Sequence, residues 1–222
     1  MPRTILITGT SYGLGAALSD AVRQLGDVVV SVSRTRPANA EERWIEADLG
    51  DIASLVRVVE QAAELAPGPF DGVIMNAALA DKSASQWTPE QVERHLRINA
   101  VSPFTLWSRM EEARLVGDPC NVVLMGSFLQ NGNVRQPAYA MSKAALWSWM
   151  RSYTMNQPGN HPVSMNMVWP GRVDTPANPP RDLPPEDPNL FYPASRVADV
   201  VLGLLYQAPG GPRGTVIDMG RS

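Results

Sequence analysis

The feature that most constrains this chain is an alternation that runs from one end to the other: a short β-branched run, a helical pattern, then another β-branched run. Residues 3–8 (Arg-Thr-Ile-Leu-Ile-Thr) read as a buried strand that stops at Gly9. Leu14, Ala17, Leu18, Ala21, Val22 and Leu25 then recur at three- and four-residue steps, the helical period, and Gly26 follows as a C-terminal cap. The same reading predicts strands at residues 28–33, 43–47, 72–75, 121–125, 163–168 and 214–218. It predicts helices at 52–63, from 88 to about 116 with a break near Ser102-Pro103, at 138–155 and at 198–206. Thr88-Pro89-Glu90-Gln91 is a helix start with a mechanism: Thr88 caps, Pro89 needs no donor, and Gln91 closes a capping box. Strands that are almost continuously apolar and alternate with helices belong to a parallel sheet covered on both faces.

At 222 residues and 44% hydrophobic, the chain has enough apolar material for one core, and no linker divides it, so residues 1–222 are expected to form one domain. Seven prolines between residues 176 and 193 predict a surface loop without regular structure, in the place of a substrate lid. The net charge of −3, with no long basic run, excludes a dedicated nucleic-acid binder. One cysteine, Cys120, excludes an internal disulfide or a thiolate metal cluster. His95 and His161 have no partner at metal spacing, and His95 reads as a helix-surface residue, so no metal site is expected. No window approaches a membrane span and no signal peptide is recognisable, which predicts a cytoplasmic protein.

The first strand-to-helix turn is Thr8-Gly9-Thr10-Ser11-Tyr12-Gly13-Leu14-Gly15. A dinucleotide pyrophosphate needs bare backbone N–H groups at the positive end of a helix, and a Cβ would block its approach. Gly9 suits the tight turn, Gly13 the close approach and Gly15 the packing of helix on strand. The expected architecture is therefore α/β: a single Rossmann-like, doubly wound parallel sheet of about seven strands with helices on both faces. An NAD-binding turn usually carries an acid at the end of the second strand. Here that position reads Ser33-Arg34-Thr35-Arg36. A guanidinium suits a 2′-phosphate, which predicts NADP(H) over NAD(H), held by Ser33 and Arg34 with Arg36 as a helper.

Tyr139-Ala140-Met141-Ser142-Lys143 puts a phenol and an ammonium one helical turn apart, where the cation favours phenolate. Ser127 follows the fifth strand, Asn99 interrupts a helix, Asn76-Ala77 ends the fourth strand, and Pro170-Gly171-Arg172-Val173-Asp174-Thr175 ends the sixth. With these landmarks, Asp48-Leu49 and Asn166, the chain resembles the classical short-chain dehydrogenases/reductases over essentially its whole length.

The resemblance implies roles. Tyr139 is the general acid or base, Ser127 bonds the carbonyl oxygen, Lys143 lowers the phenol pKa and holds the nicotinamide ribose, and Asn99 anchors a relay water. The cofactor would lie on Gly9, Ser11, Tyr12, Gly13 and Leu14, with Asp48 and Leu49 along the adenine and Asn76 and Ala77 near the ribose. Pro170, Gly171, Val173 and Thr175 would sit at the nicotinamide. A small carbonyl or alcohol substrate and a homodimer or homotetramer follow from the same likeness, with Trp147 or Trp149 as a subunit contact. Two departures stand out: Tyr12 occupies a place where many NADP-dependent members carry a basic residue, and Ser127 precedes Tyr139 by twelve residues instead of the usual thirteen. The competing reading is a sensor of the same fold that binds NADP(H) without turnover. The intact Asn99, Ser127, Tyr139 and Lys143 favour the enzyme.

Overall fold

The structure is a computed structural model and describes residues 1–38, 43–81, 88–133, 135–155, 157–175 and 191–220. Its strands are β1 Thr4–Thr8, β2 Val28–Ser33, β3 Trp44–Glu46, β4 Phe70–Met75, β5 Val116–Met125, β6 Val163–Trp169, β7 Arg172–Asp174, β8 Phe191–Pro193 and β9 Val216–Asp218. Its α-helices are α1 Gly13–Gln24, α2 Ile52–Leu65, α3 Pro89–Leu96, α4 Ser102–Glu112, α5 Pro137–Met155 and α6 Ala194–Leu205.

Seven strands form one parallel sheet in the order β3-β2-β1-β4-β5-β6-β9. The period of two along each strand divides the core into two layers. Leu6, Val73, Val122 and Leu124 face α2, α4 and α5, where they meet Leu55, Val58, Trp107, Met110, Leu146 and Met150. Their neighbours Ile5, Ile7, Ile74 and Val123 face α1 and α6, against Leu18, Val22, Val197 and Val201. That is why the strands carry no polar alternation. The chain leaves β1 toward β2 on one side and later returns to β4 on the other, so a crevice opens above the carboxyl ends of β1 and β4.

Local signals fall where the chemistry requires. The Thr88 hydroxyl accepts from the Gln91 N–H at 3.3 Å, Asp51 caps α2 through the Ala53 N–H at 3.0 Å, and Gly26 takes φ +82° past the end of α1. Four expectations are corrected. The long helix ends at Glu112, because Arg114 turns the chain at φ +56°, and β5 starts at Val116, five residues earlier than expected. The break in that helix is a π turn over Arg97–Val101, ahead of Ser102-Pro103. The proline-rich segment does not stay irregular to its end: Phe191–Pro193 pairs with Arg172–Asp174, and Pro193, an N-cap with its φ already near the helical value, starts α6 at Ala194. Residues 176–190 of the expected lid lie outside the described residues. His95 is not on the surface: its ring is 1% exposed, with Nδ1 against the Gln91 carbonyl at 2.8 Å. It belongs to the packing of α3.

Cys120 is a buried thiol, and desolvation pushes its pKa up to about 12, so it is an inert core residue. Among the described residues no group of three His, Cys, Asp or Glu side chains is arranged to hold a metal, and no helix is long and apolar enough to cross a membrane.

Candidate active site

The crevice is a cleft of about 790 Å³. Its floor is the glycine turn, built by hydrogen bonds that tie β1 to β4. The Thr8 hydroxyl accepts from the N–H groups of Asn76 and Ala77, each at 3.0 Å. Asn76 Nδ2 donates back to the carbonyls of Thr8 and Gly9 at 3.0 and 3.1 Å. These bonds leave no room for side chains in the turn. A Cβ on Gly15 would fall 1.9 Å from the Gly9 carbonyl oxygen, and Gly9 itself, at φ +75°, stands against the Ala77 backbone. Gly15 thus closes the turn on itself, a tighter role than helix-on-strand packing. Gly13, at φ +63°, faces Thr175 across the cleft.

The helix that follows is open at its positive end. Its N-cap Tyr12 makes no side-chain cap bond and its first turn contains no acid. Bare N–H groups at such an end, beside a cradle that a Cβ would fill, fit the pyrophosphate of a dinucleotide. Gly9, Ser11, Tyr12, Gly13, Leu14, Ser33, Arg34, Asp48, Leu49, Asn76, Ala77, Gly171, Val173 and Thr175 all line the cleft. Pro170 does not; it is one step behind the wall, next to Gly171.

At the far end of β2, Arg34 is exposed to the cleft, whereas Ser33 is buried and occupied. Its hydroxyl donates to the Thr35 carbonyl at 2.8 Å and accepts from Trp44 Nε1 at 3.1 Å. Ser33 therefore shapes the loop, and its one proton is already committed. Arg36 stacks over Trp44, 5.7 Å from the ring centroid, and does not line the cleft. The free guanidinium at this end is that of Arg34.

At the other end Ser127 and Tyr139 meet. Ser127 follows β5 and caps the short 3-10 turn Phe128–Asn131, and its hydroxyl is hydrogen-bonded to the Tyr139 phenol. Burial raises the phenol pKa, and the Ser127 bond opposes that rise without reversing it. Lys143 is fully buried behind Tyr139, its Nζ 5.7 Å from the ring centroid and donating to the Met125 carbonyl at 2.6 Å. Desolvation brings its pKa down to about 8. The shift of the phenol comes from burial and Ser127. The ammonium is aimed at a backbone carbonyl, and its own charge is disfavoured by burial.

Asn99 and Lys143 support the cleft from behind instead of lining it. Asn99 sits in the π turn, where one extra residue shifts the helical bonding by a step and takes a carbonyl out of the ladder. Its carboxamide is fully used: Oδ1 accepts from the Leu79 N–H at 2.7 Å, and Nδ2 donates to the Leu79 carbonyl and to Ser142 Oγ, each at 2.9 Å. Ser142 in turn donates to the Tyr139 carbonyl at 2.7 Å. Ser142 and Thr8 are thus connecting residues that motif reading passes over, since each lies inside a motif whose neighbours carry the recognised chemistry. Asn166 is structural: its carboxamide joins the Pro212 carbonyl and the Thr215 N–H at 2.8 and 3.0 Å, tying β6 to the start of β9.

Residues 3–184 match the family described as short chain dehydrogenase. The chain belongs to that family. Short-chain dehydrogenases are oxidoreductases that act on the CH–OH or C=O groups of small molecules. This short-chain dehydrogenase is 30% identical over 220 residues to the oxidoreductase YxnA of Bacillus subtilis (strain 168), covering 90% of this chain and 62% of that one. It therefore spans less than two thirds of that relative's length. Among solved structures, a short chain dehydrogenase family protein from Francisella tularensis superposes with a TM-score of 0.84 at 23% identity, over 99% of this chain and 97% of the other. A 3-oxoacyl (acyl-carrier-protein) reductase from Agrobacterium tumefaciens C58, with NADP bound, superposes with a TM-score of 0.82 at 23% identity, over 97% and 92%. Both establish the likeness of fold.

Proposed function

We propose that the chain is an NADP(H)-dependent carbonyl reductase, or the reverse alcohol dehydrogenase, with Tyr139 as its general acid and base. The observation that carries this reading is the Ser127–Tyr139 hydrogen-bonded pair, set beside buried Lys143 at one end of a cleft whose other end is the open N-terminus of α1. When bound, a reduced nicotinamide supplies the hydride that a carbonyl carbon accepts. The residues of this chain do the rest. Gly9, Gly13 and the N–H groups of α1 hold the pyrophosphate, and Asp48, Leu49 and Asn76 border the adenosine. Ser127 donates to the substrate oxygen and fixes its position. Tyr139 gives that oxygen a proton as negative charge builds on it, and recovers the proton from the Lys143 side with a water held at the π turn of Asn99.

The NADP(H) preference rests on Arg34, an exposed guanidinium at the end of β2 where no acid stands. The NADP in the Agrobacterium relative agrees with it. The reading includes a cytoplasmic location and a homodimer or homotetramer. Titration of the protein with NADPH and with NADH, followed by cofactor fluorescence, tests it. NADPH should bind at least about tenfold more tightly, and Arg34→Ala should erase the difference, as expected for loss of a charge-assisted bond. Equal affinities in the wild type would make Arg34 a surface charge and point to NAD-linked chemistry.

A further inference from the structure

The cleft is lopsided in charge. Of the charged side chains that line it among the described residues, four are arginines (Arg34, Arg94, Arg135 and Arg172) and one, Asp48, is an acid. Asp48 belongs to the adenosine end, next to Ile98, where its carboxylate accepts from the Gly50 N–H at 2.9 Å. The wall around Ser127 and Tyr139 is made of Phe128, Leu129, Asn133, Arg135 and Gln136, and carries no carboxylate among the described residues. A low-dielectric cleft with one sign of charge raises the local concentration of the opposite sign.

Arg135 is built into this wall. The Asn133 carboxamide oxygen accepts from the N–H groups of both Arg135 and Gln136 at 2.9 Å. That bifurcated bond pins the backbone just before α5 starts at Pro137, one helical turn ahead of Tyr139. The Arg135 side chain is exposed to the cleft and joins no ion pair among the described residues. A guanidinium offers a planar fork of donors that matches two oxygens of one anionic group, and an uncharged alcohol or hydrocarbon leaves that capacity unused. The pyrophosphate of a dinucleotide would already have its match in the open N-terminus of α1.

We infer that the substrate is a carbonyl compound bearing a carboxylate or a phosphate, and that Arg135 binds that group while Ser127 and Tyr139 hold the carbonyl oxygen. The inference rests on the carbonyl-reductase reading above. Apolar Phe128 and Leu129 then face the carbon skeleton between the two ends.

Paired substrates test it. Short keto acids are compared with their methyl esters, and keto phosphates with the corresponding keto alcohols, in the wild type, Arg135→Ala and Arg135→Lys. NADPH affinity is measured alongside as the check on folding. In the wild type the charged member of at least one pair should have the higher kcat/KM, and whether the carboxylate or the phosphate series shows it identifies the anion. Arg135→Ala should cost that member about tenfold or more, mostly in KM, and leave the uncharged member and NADPH affinity unchanged. Arg135→Lys should recover part of the loss, since it restores charge without the fork. Uncharged members turned over equally well, or losses that fall on both members alike, overturn the inference while leaving the reductase reading intact. Where no pair is turned over, binding of the same pairs to the NADPH complex decides. Charged members that bind no better than uncharged ones overturn the inference, and absence of NADPH binding itself overturns the reductase reading beneath it.

Discussion

The two central side chains, Tyr139 and Lys143, are titratable groups whose burial works against their charged forms, in opposite directions. Tyr139 is kept a phenol and Lys143 is brought down to about 8. Tyr139→Phe removes the proton donor and little else, so kcat should fall by about a thousandfold while NADPH affinity stays within about twofold of wild type. Turnover that survives the change would move the acid to another group. Lys143 gives a prediction about stability. Its folded-state pKa lies below its ordinary value of 10.5, so between about 8 and 10.5 the unfolded chain binds the extra proton. Native stability therefore gains from this group as pH rises through that window. Relative to Lys143→Met, the wild-type Tm should rise between about pH 8 and about pH 10. A constant difference would mean that Lys143 titrates alike in both states.

Among the elements, the junction of α3, the π turn and α5 is where local structure becomes site geometry. Asn99 ties the Leu79 backbone to Ser142, and Ser142 ties both to the carbonyl of Tyr139, with Asn99 and Ser142 themselves buried. We expect Ser142 to be a positioning residue. Ser142→Ala leaves a buried donor of Asn99 short of a partner, which costs about 1–3 kcal/mol of stability. It should lower kcat by about tenfold with NADPH affinity unchanged, and Ser142→Thr, which keeps the hydroxyl, should restore kcat. Equal losses in both variants would reduce Ser142 to packing. The π turn was legible only as an interruption. A helical period shows that a run breaks, but the i to i+5 shift at Arg97–Val101 depends on Ser102, whose hydroxyl reaches both the Arg97 carbonyl at 2.8 Å and the Leu49 carbonyl. That second partner is 53 residues away in sequence.

For the whole molecule, the doubly wound order brings the glycine turn, Arg34, Asp48, Asn76 and Ser127 to one edge of the sheet, because parallel strands all end on the same side. Outside the cleft, some large apolar side chains are exposed. Val101, Phe104 and Met141 are exposed on the π turn, α4 and α5, and Phe104 meets Trp149 edge to face at 5.7 Å. The chain should therefore run at twice its 24.1 kDa or more in light scattering, and Phe104→Glu should shift it toward the single-chain mass. A wild type at 24.1 kDa would refute the dimer.

The sequence by itself determined the class of fold, the order of the elements and the motifs from which the candidate site is read. Hydrophobic period and glycine spacing are local properties, and a parallel sheet converts chain order into position. Only the tertiary structure decided how those residues act. It committed the Ser33 hydroxyl to the Thr35 carbonyl, stacked Arg36 on Trp44 outside the cleft lining, gave Gly15 to the closure of its own turn, moved Asn99 and Lys143 behind the wall, and sank His95 into the packing of α3. Each of those outcomes depends on hydrogen bonds or contacts between elements far apart in the chain, and on which groups burial separates from water. A one-dimensional pattern does not encode such partners.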